Sequence, residues 1–326
     1  MSEFGFAVVL ALAWFATVNI AASAVAATAA LALDRVLGRA RPSTAARVLL
    51  GLRLLPGVVS LFFTTALFLP AHWRLEPANA EESAGLSLLA LAAVGAVILA
   101  ATLWRTAAAV RATGWIGRAW LRRSERQEAD AGGIPVYRLS NPSPIVSLVG
   151  VIHPRLFVST PVLSSLSAAE LDVSLSHELA HLLSGDNLKR VIVACCPDAL
   201  SLAGIGRRVE DQWRAALEFS ADDRAVGGDE QRALNLVSAL VTMAKLTPAP
   251  RRSLLAVTSE FYDGALLSAR IDRLLHPERA GRSSLAVVPM WPVSLAGLAL
   301  LAALLPSQAV WLVVHLATEG LVRLLP

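Results

Sequence analysis

The chain has little charge and almost no cysteine. Asp, Glu, Lys and Arg make up 17% of its 326 residues, against 55% hydrophobic residues and a mean hydropathy of +0.58. Soluble domains carry about 25% charged residues, so this balance excludes an ordinary water-soluble protein and makes the bilayer its solvent for part of its length. Its two cysteines, Cys195 and Cys196, are adjacent. A disulfide between neighbours is strained, which excludes a cystine-stapled scaffold. Both are expected to be buried as small apolar residues. Internal repeats are also missing, which excludes a solenoid.

Charge is absent over long runs. Phe4 to Leu33 and Ala84 to Trp104 contain no ionisable residue, and each run is long enough for the roughly 20-residue crossing of a hydrocarbon core. Val48 to Ala71 is apolar except for Arg53, expected to snorkel to the headgroups. Leu285 to Val314 is uncharged but holds Pro289, Pro292 and Pro306, which confine a spanning helix to residues near 292–305. The expected layout is three transmembrane helices (about 4–33, 48–71 and 84–104) within residues 1–112, then a water-facing domain over 113–284. A fourth transmembrane helix follows over 285–310, then a tail over 311–326. The segment Met1-Ser-Glu3 has no positive charge and the apolar run after it is too long for a signal-peptide core, so a cleaved secretion signal is not expected.

Arginines give the orientation, because short loops rich in Lys and Arg stay in the cytoplasm. Arg35, Arg39, Arg41 and Arg47 follow the first span, while Glu76, Glu81 and Glu82 outnumber Arg74 after the second. Arg105 to Arg126 and Arg273 to Arg282 flank the central domain. The domain is therefore expected in the cytoplasm, with both termini outside. The same bias accounts for a pI near 9.7, so no direct nucleic-acid partner is expected.

Within the domain, Ile134 to Leu139, Ile145 to Val151 and Leu156 to Ser159 read as a small antiparallel sheet. Helices follow. Val191 to Ile205, interrupted by Pro197 and Asp198, is too short for a good crossing and is expected against the inner leaflet. In the tail, His315, Glu319 and Arg323 recur every fourth residue on an otherwise apolar helix, which predicts an amphipathic helix on the outer leaflet.

Ser174 to Asp186 reads S-L-S-H-E-L-A-H-L-L-S-G-D. His177 and His181 stand four apart and so project from one helical face, where two imidazoles can hold one metal ion. Glu178 between them is placed to move a proton. Ser167-Ala-Ala-Glu170 forms a capping-box pattern, which predicts a helix from about residue 168 carrying both histidines. Downstream, Glu218-Phe-Ser-Ala-Asp222 puts two carboxylates on one face of a second helix. Glu218 is the candidate third ligand and Asp222 the candidate partner that orients a histidine, while Asp222 or the neighbouring Asp223 is a rival ligand that spacing alone does not exclude. Nitrogen ligands with one carboxylate suit Zn2+, one per chain, and an open fourth position suits hydrolysis. Asp186, just after Gly185, could also orient a histidine, but is expected to cap the next helix. His72, His153 and His276 are expected at the surface.

These motifs, the hairpin Pro144 to Ser159 and the four-span layout resemble the integral-membrane zinc metallopeptidases of the BlaR/MecR antibiotic-sensor type. The resemblance covers most of the chain. It implies an α-helical, multi-pass protein of a bacterial-type inner membrane with a cytoplasmic α+β zincin-like peptidase domain. It also implies regulatory cleavage of a cytoplasmic protein substrate, such as a helix-turn-helix repressor, or of the chain itself. A second copy of the chain is a further candidate partner. Only His315 to Pro326 follow the last uncharged run, where sensor relatives carry a penicillin-binding domain, so a β-lactam receptor role is not implied. The motifs are also similar to HtpX-type quality-control and prenyl-protein-processing membrane proteases, and a non-proteolytic transducer is a further alternative. The relatives' late Arg-Ile pair is matched by Arg270-Ile271, which implies that Arg270 lies near the reacting carbonyl and stabilises its oxyanion. Tyr262 is a second candidate for that task, and a salt bridge to Asp272 or Glu278 the competing role for Arg270. A substrate is expected to add as a strand along Arg155 to Ser159, through the backbone at Phe157 and Val158.

Overall fold

Continuous apolar sequence without a breaker makes long helices, and three of them carry the architecture. In a computed structural model, residues 2–75, 84–202, 204–247, 258–260, 266–276 and 308–325 are described. Helix α1 (Glu3–Leu37) is capped by Ser2, whose Oγ accepts from the Gly5 N–H at 3.2 Å. Helix α2 (Pro42–Phe62) continues through a π-helical stretch, Phe63–Phe68, into α3 (Leu69–Leu75). Helix α4 spans Leu86–Leu121. Glu3–Leu37, Pro42–Leu75 and Leu86–Leu121 are each long and apolar enough to cross a membrane, so this is a mostly helical, membrane-type chain. The predicted spans lie within or close to these helices. The fourth, over 285–310, lies outside the described residues except for 308–310. The predicted boundary at 112 falls inside α4, because Arg105, Arg111 and Arg118 extend the helix instead of starting a loop.

Close backbone approach ties the bundle together. A Cβ on Gly95 of α4 would stand 2.3 Å from the Leu12 carbonyl oxygen of α1, so only glycine permits this crossing. Asn19, the buried amide of α1, is satisfied by the chain itself. Asn19 Nδ2 donates to Ser60 Oγ at 3.0 Å and to the Pro197 carbonyl at 3.1 Å, and its Oδ1 accepts from the Ala199 N–H at 2.9 Å.

That contact corrects two expectations. The stretch after residue 191 does not lie flat against the leaflet. Helix α7 (Asp186–Cys195) ends in a turn threaded between the spans, where Arg105 Nη2 donates to the Cys196 carbonyl at 3.2 Å and Thr106 Oγ1 to the Ala194 carbonyl at 3.0 Å. Exposed backbone at Pro197 and Asp198 would be costly in lipid and is tolerated only inside protein. Nor does Arg53 snorkel. It is 2% exposed, ion-paired with Asp198, and 3.6 Å from Glu210 Oε2. Of the cysteines, Cys196 is buried as expected, but Cys195 is exposed.

The central domain carries β1 (Ser124–Ala131), β2 (Ile134–Leu139), β3 (Val146–Val149), β4 (Arg155–Ser159), α5 (Thr160–Ser165) and α6 (Ala168–Ser184) ahead of α7. Beyond α7 come α8 (Gly204–Val226), α9 (Glu230–Leu246), β5 (Thr258–Glu260) and α10 (Leu267–Leu275). The sheet order is β1-β2-β4-β3-β5. It is mixed and not purely antiparallel, because β2 and β4 pair in parallel with Tyr137 opposite Phe157. Strand β4 is therefore central, flanked by β2 and β3. The expected substrate edge along Arg155, Phe157 and Val158 is wrong, since their backbone groups already serve two neighbours. The edges are β1 and β5. A core of Leu148, Leu156, Val158, Val173, Leu236 and Leu240 joins the sheet to α6 and α9, while Trp213 and Leu217 of α8 pack with Ala45 and Leu49 of α2. The domain is thus seated directly on the spans.

The tail forms α11 (Gln308–Leu324). Val314 and Thr318 face the bundle, where Trp14 Nε1 donates to Thr318 Oγ1 at 3.0 Å and the Arg74 guanidinium lies 3.9 Å from the centre of the Trp311 ring. The predicted stripe is present on another face, with Arg323 Nη2 donating to Glu319 Oε2 at 3.1 Å. Of the other histidines, His153 is exposed, whereas His72 is half-buried and stacks on Phe68 at 5.6 Å.

Candidate metal centre

Helix α6 starts where the sequence says it should. Ser167 N–H donates to Glu170 Oε2 at 2.7 Å and Glu170 N–H to Ser167 Oγ at 3.3 Å, closing the capping box. The helix ends at Gly185, whose φ of +66° is the left-handed conformation that glycine adopts without strain. Between these ends His177, Glu178 and His181 are all buried. Helix α8 crosses α6 and brings Glu218 and Asp222 to the same point, at 6% and 1% exposure.

His177, His181 and Glu218 form a buried group whose ligand atoms all lie within 4.8 Å of one another. The finer distances decide what fits. The two Nε2 atoms are 3.1 Å apart, His177 Nε2 is 3.4 Å from Glu218 Oε2, and His181 Nε2 is 3.4 Å from Glu218 Oε1. Tetrahedral ligands at zinc-like bond lengths stand about 3.3 Å from each other, so this triangle is the right size for one face of such a site. The other ring nitrogens are already used. His177 Nδ1 lies 2.9 Å from Asp222 Oδ1, and His181 Nδ1 lies 2.7 Å from Asp186 Oδ2. Each carboxylate accepts from Nδ1 and so leaves Nε2 as the nitrogen that faces the centre and could bind a metal.

Asp186 is not the cap it was expected to be: Gly185 holds the N-cap position of α7, and no side-chain hydrogen bond caps that helix. Asp186 lies in the first turn of α7 and points its carboxylate back to His181, with Lys189 Nζ on its other oxygen at 2.7 Å. The sharp turn at Gly185 is what aims this carboxylate back at His181. Glu178 Oε2 accepts from the Leu148 N–H of β3 at 3.0 Å, and Asn187 Nδ2 holds the end of that strand through the Leu148 and Gly150 carbonyls at 3.1 and 3.0 Å. The strand beside the candidate base is thus β3, and β5 pairs with it.

Arg270 of α10 is 1% exposed. Its Nε and Nη2 donate to both oxygens of Asp222 at 2.9 and 2.6 Å, and Nη1 lies 3.4 Å from Glu218 Oε2. It pairs with Asp222, not with Asp272, while Glu278 and Tyr262 lie outside the described residues. Asp223, the rival ligand, turns away to Arg273, whose Nη2 donates to it at 2.8 Å. Sequence reasoning missed Asn187 and Arg190, whose Nη2 lies 3.8 Å from Glu218 Oε1. Their only signal was position, in the two turns after Gly185.

Charge is concentrated here without solvent. Burial would raise the Glu218 carboxyl, but His181, His177 and Arg270 outweigh it and hold it well below the usual range. Burial acts the same way on Asp222 and is outweighed by Arg270 and His177. For His181 burial works against the charged form, yet Glu218, Asp186 and Glu178 carry it to about 9. Desolvation likewise opposes the Arg270 cation, and Asp222 and Glu218 hold it above its ordinary value. The buried carboxylates Glu178, Glu218, Asp222 and Asp186 thus converge on the two histidines, and a divalent cation that displaced the His181 proton would take over its charge pairing. No family model matches the chain, and no curated protein matches it.

Proposed function

We propose that the chain is a membrane-embedded zinc metalloendopeptidase, with its peptidase domain in the cytoplasm and both termini outside. Its substrate in this reading is a cytoplasmic or membrane-associated protein, and the cleavage is regulatory. The observation that carries it is the triangle of His177 Nε2, His181 Nε2 and the Glu218 carboxylate at 3.1 to 3.4 Å, with each histidine tied through Nδ1 to a carboxylate. Two imidazoles and one carboxylate, buried and separately oriented, suit zinc better than the oxygen-rich sites of calcium or magnesium.

Zinc, when bound, supplies Lewis-acid polarisation of the scissile carbonyl and lowers the pKa of an attacking water. The chain's own residues do the rest. Glu178 takes the proton of that water and returns it to the leaving amine, a double use that needs one buried carboxylate. The Leu148 N–H holds Oε2 of Glu178 in place. Arg270 orients Asp222, and through it His177, and its Nη1 at Glu218 brings a fixed cation to the edge of the centre. In this reading it is a positioning residue first, and any contact with the oxyanion is secondary.

The test is metal content. Purified protein is expected to hold one zinc per chain, and Glu218→Gln or His177→Ala to lose it on dialysis; full occupancy in either variant overturns the ligand set. Binding must also depend on pH. His181 keeps its proton up to about 9 in the metal-free site, and that proton must leave as zinc enters. Apparent zinc affinity is therefore expected to fall about tenfold per pH unit below that value and to level off above it. A flat profile from pH 6 to 9 in a competition titration with a chelator of known pH dependence would contradict the assignment.

A further inference from the structure

A second set of donors converges where the second span begins. The N-terminus of α2, the first turn of α7 and the middle of α8 enclose a cavity of about 50 Å³ lined by Ser43, Arg47, Asp186, Lys189, Trp213 and Arg224, among others. Three of these side chains are cations and one is a carboxylate. The carboxylate is already engaged, since Asp186 Oδ2 faces His181 Nδ1 and Oδ1 accepts from Lys189, each at 2.7 Å. Lys189 is thereby paired, and Arg224 Nη1 donates to Ser184 Oγ and to the Ala180 carbonyl, both neutral acceptors, so the charge left to the cavity is positive and is carried by Arg47 and Arg224.

Two further observations point to an anion. Trp213 is 1% exposed, and its indole Nε1 has no acceptor among the described residues. A buried indole N–H normally finds a partner, so a donor is left beside this cavity waiting for an oxygen. The 21-residue helix α2 also begins here without a side-chain cap and without an acidic residue in its first turn. Its positive dipole end is therefore uncompensated. In size, one water occupies about 10–15 Å³ of such volume, so the cavity of about 50 Å³ has room for roughly three to five water-sized groups.

We propose that this cavity is a binding site for a phosphate group, held by Arg47, Lys189, Arg224 and the Trp213 indole at the start of α2. The same chemistry is offered by inorganic phosphate and by the headgroup of an anionic phospholipid. The site is independent of the peptidase reading, touching the metal centre only through Asp186.

Two arms separate the sources. In the first, inorganic phosphate is titrated calorimetrically into the full chain in neutral detergent. In the second, the chain is reconstituted into nanodiscs of phosphatidylcholine with or without phosphatidylglycerol, and tightly retained phospholipid is counted by native mass spectrometry. The variants are Trp213→Phe, which removes one donor and keeps the packing, and Arg47→Gln, which removes an exposed cation. Arg35→Gln, the same charge change away from the cavity, is the control. Binding in either arm, weakened roughly tenfold by Arg47→Gln and by Trp213→Phe but not by Arg35→Gln, supports the site and names its source. No binding in either arm, or binding to which these variants are indifferent, overturns it. Because Arg47 is exposed, its variant stays informative if Trp213→Phe fails to fold.

Discussion

Glu178→Gln is expected to leave zinc content and folding unchanged and to slow peptide-bond hydrolysis by a factor of roughly 100 to 10,000, the usual contribution of a general base. Glutamine keeps the shape of the side chain and can still accept the Leu148 N–H that Glu178 Oε2 accepts at 3.0 Å. It cannot take a proton. The measurement is turnover of a fluorogenic peptide library by protein in detergent, paired with metal analysis of the same sample. Loss of turnover with zinc retained assigns proton transfer to Glu178; undiminished turnover removes it from the mechanism. The pairing also separates an enzyme from a transducer that keeps the fold: a transducer shows no turnover in either protein, whatever its metal content. A companion variant, Asp222→Asn, leaves Glu178 intact and weakens the hold on His177 Nδ1. It is expected to lower zinc affinity about 10- to 100-fold, as loss of an orienting partner does.

How much of this was legible depends on the distance along the chain over which each interaction acts. The H-E-x-x-H helix was readable because a four-residue spacing and a capping box are local, and both formed as the pattern required. Glu218 and Asp222 were readable as a pair for the same reason, although only the crossing of α6 and α8 brings them to the histidines. Three of the five strands were legible, but β1, β5 and the strand order were not. Short β-branched runs joined by turns suggest hairpins, whereas the parallel pairing of β2 with β4 depends on β3 folding back beyond it. That one long-range step moves Phe157 and Val158 from an edge to the centre. Asp186 failed differently. A residue after glycine at a helix start fits a capping role, and nothing local says that the turn at Gly185 aims its carboxylate back at His181. Arg53 was the hardest, because hydropathy sees an isolated cation in an apolar run and offers only the headgroups as its partner.

Those partners exist elsewhere in the chain, and their removal should be costly. Arg53→Met is expected to destabilise the protein by about 3–5 kcal/mol, the range for breaking a buried pair by taking away one charge. Asp198 is 1% exposed and would lose its Arg53 partner while keeping the Leu200 N–H at 2.6 Å, and Glu210 would keep Arg214 Nη2 at 2.7 Å. The effect should be asymmetric. Asp198→Leu in the Arg53→Met background removes the stranded charge, so the double variant is expected to recover most of the lost stability. Thermal or denaturant unfolding in one detergent, run as a double-mutant cycle, measures this directly. Additive losses would mean that the two side chains stabilise separate contacts. The geometry argues for coupling, since the pair closes the turn after α7 onto the second span and Glu210 stands on the same face of α8 as Glu218, two turns before it. Loss of the pair is therefore expected to loosen the seat of α8 on the bundle, and zinc retention in Arg53→Met should fall in step with its stability and return in the double variant.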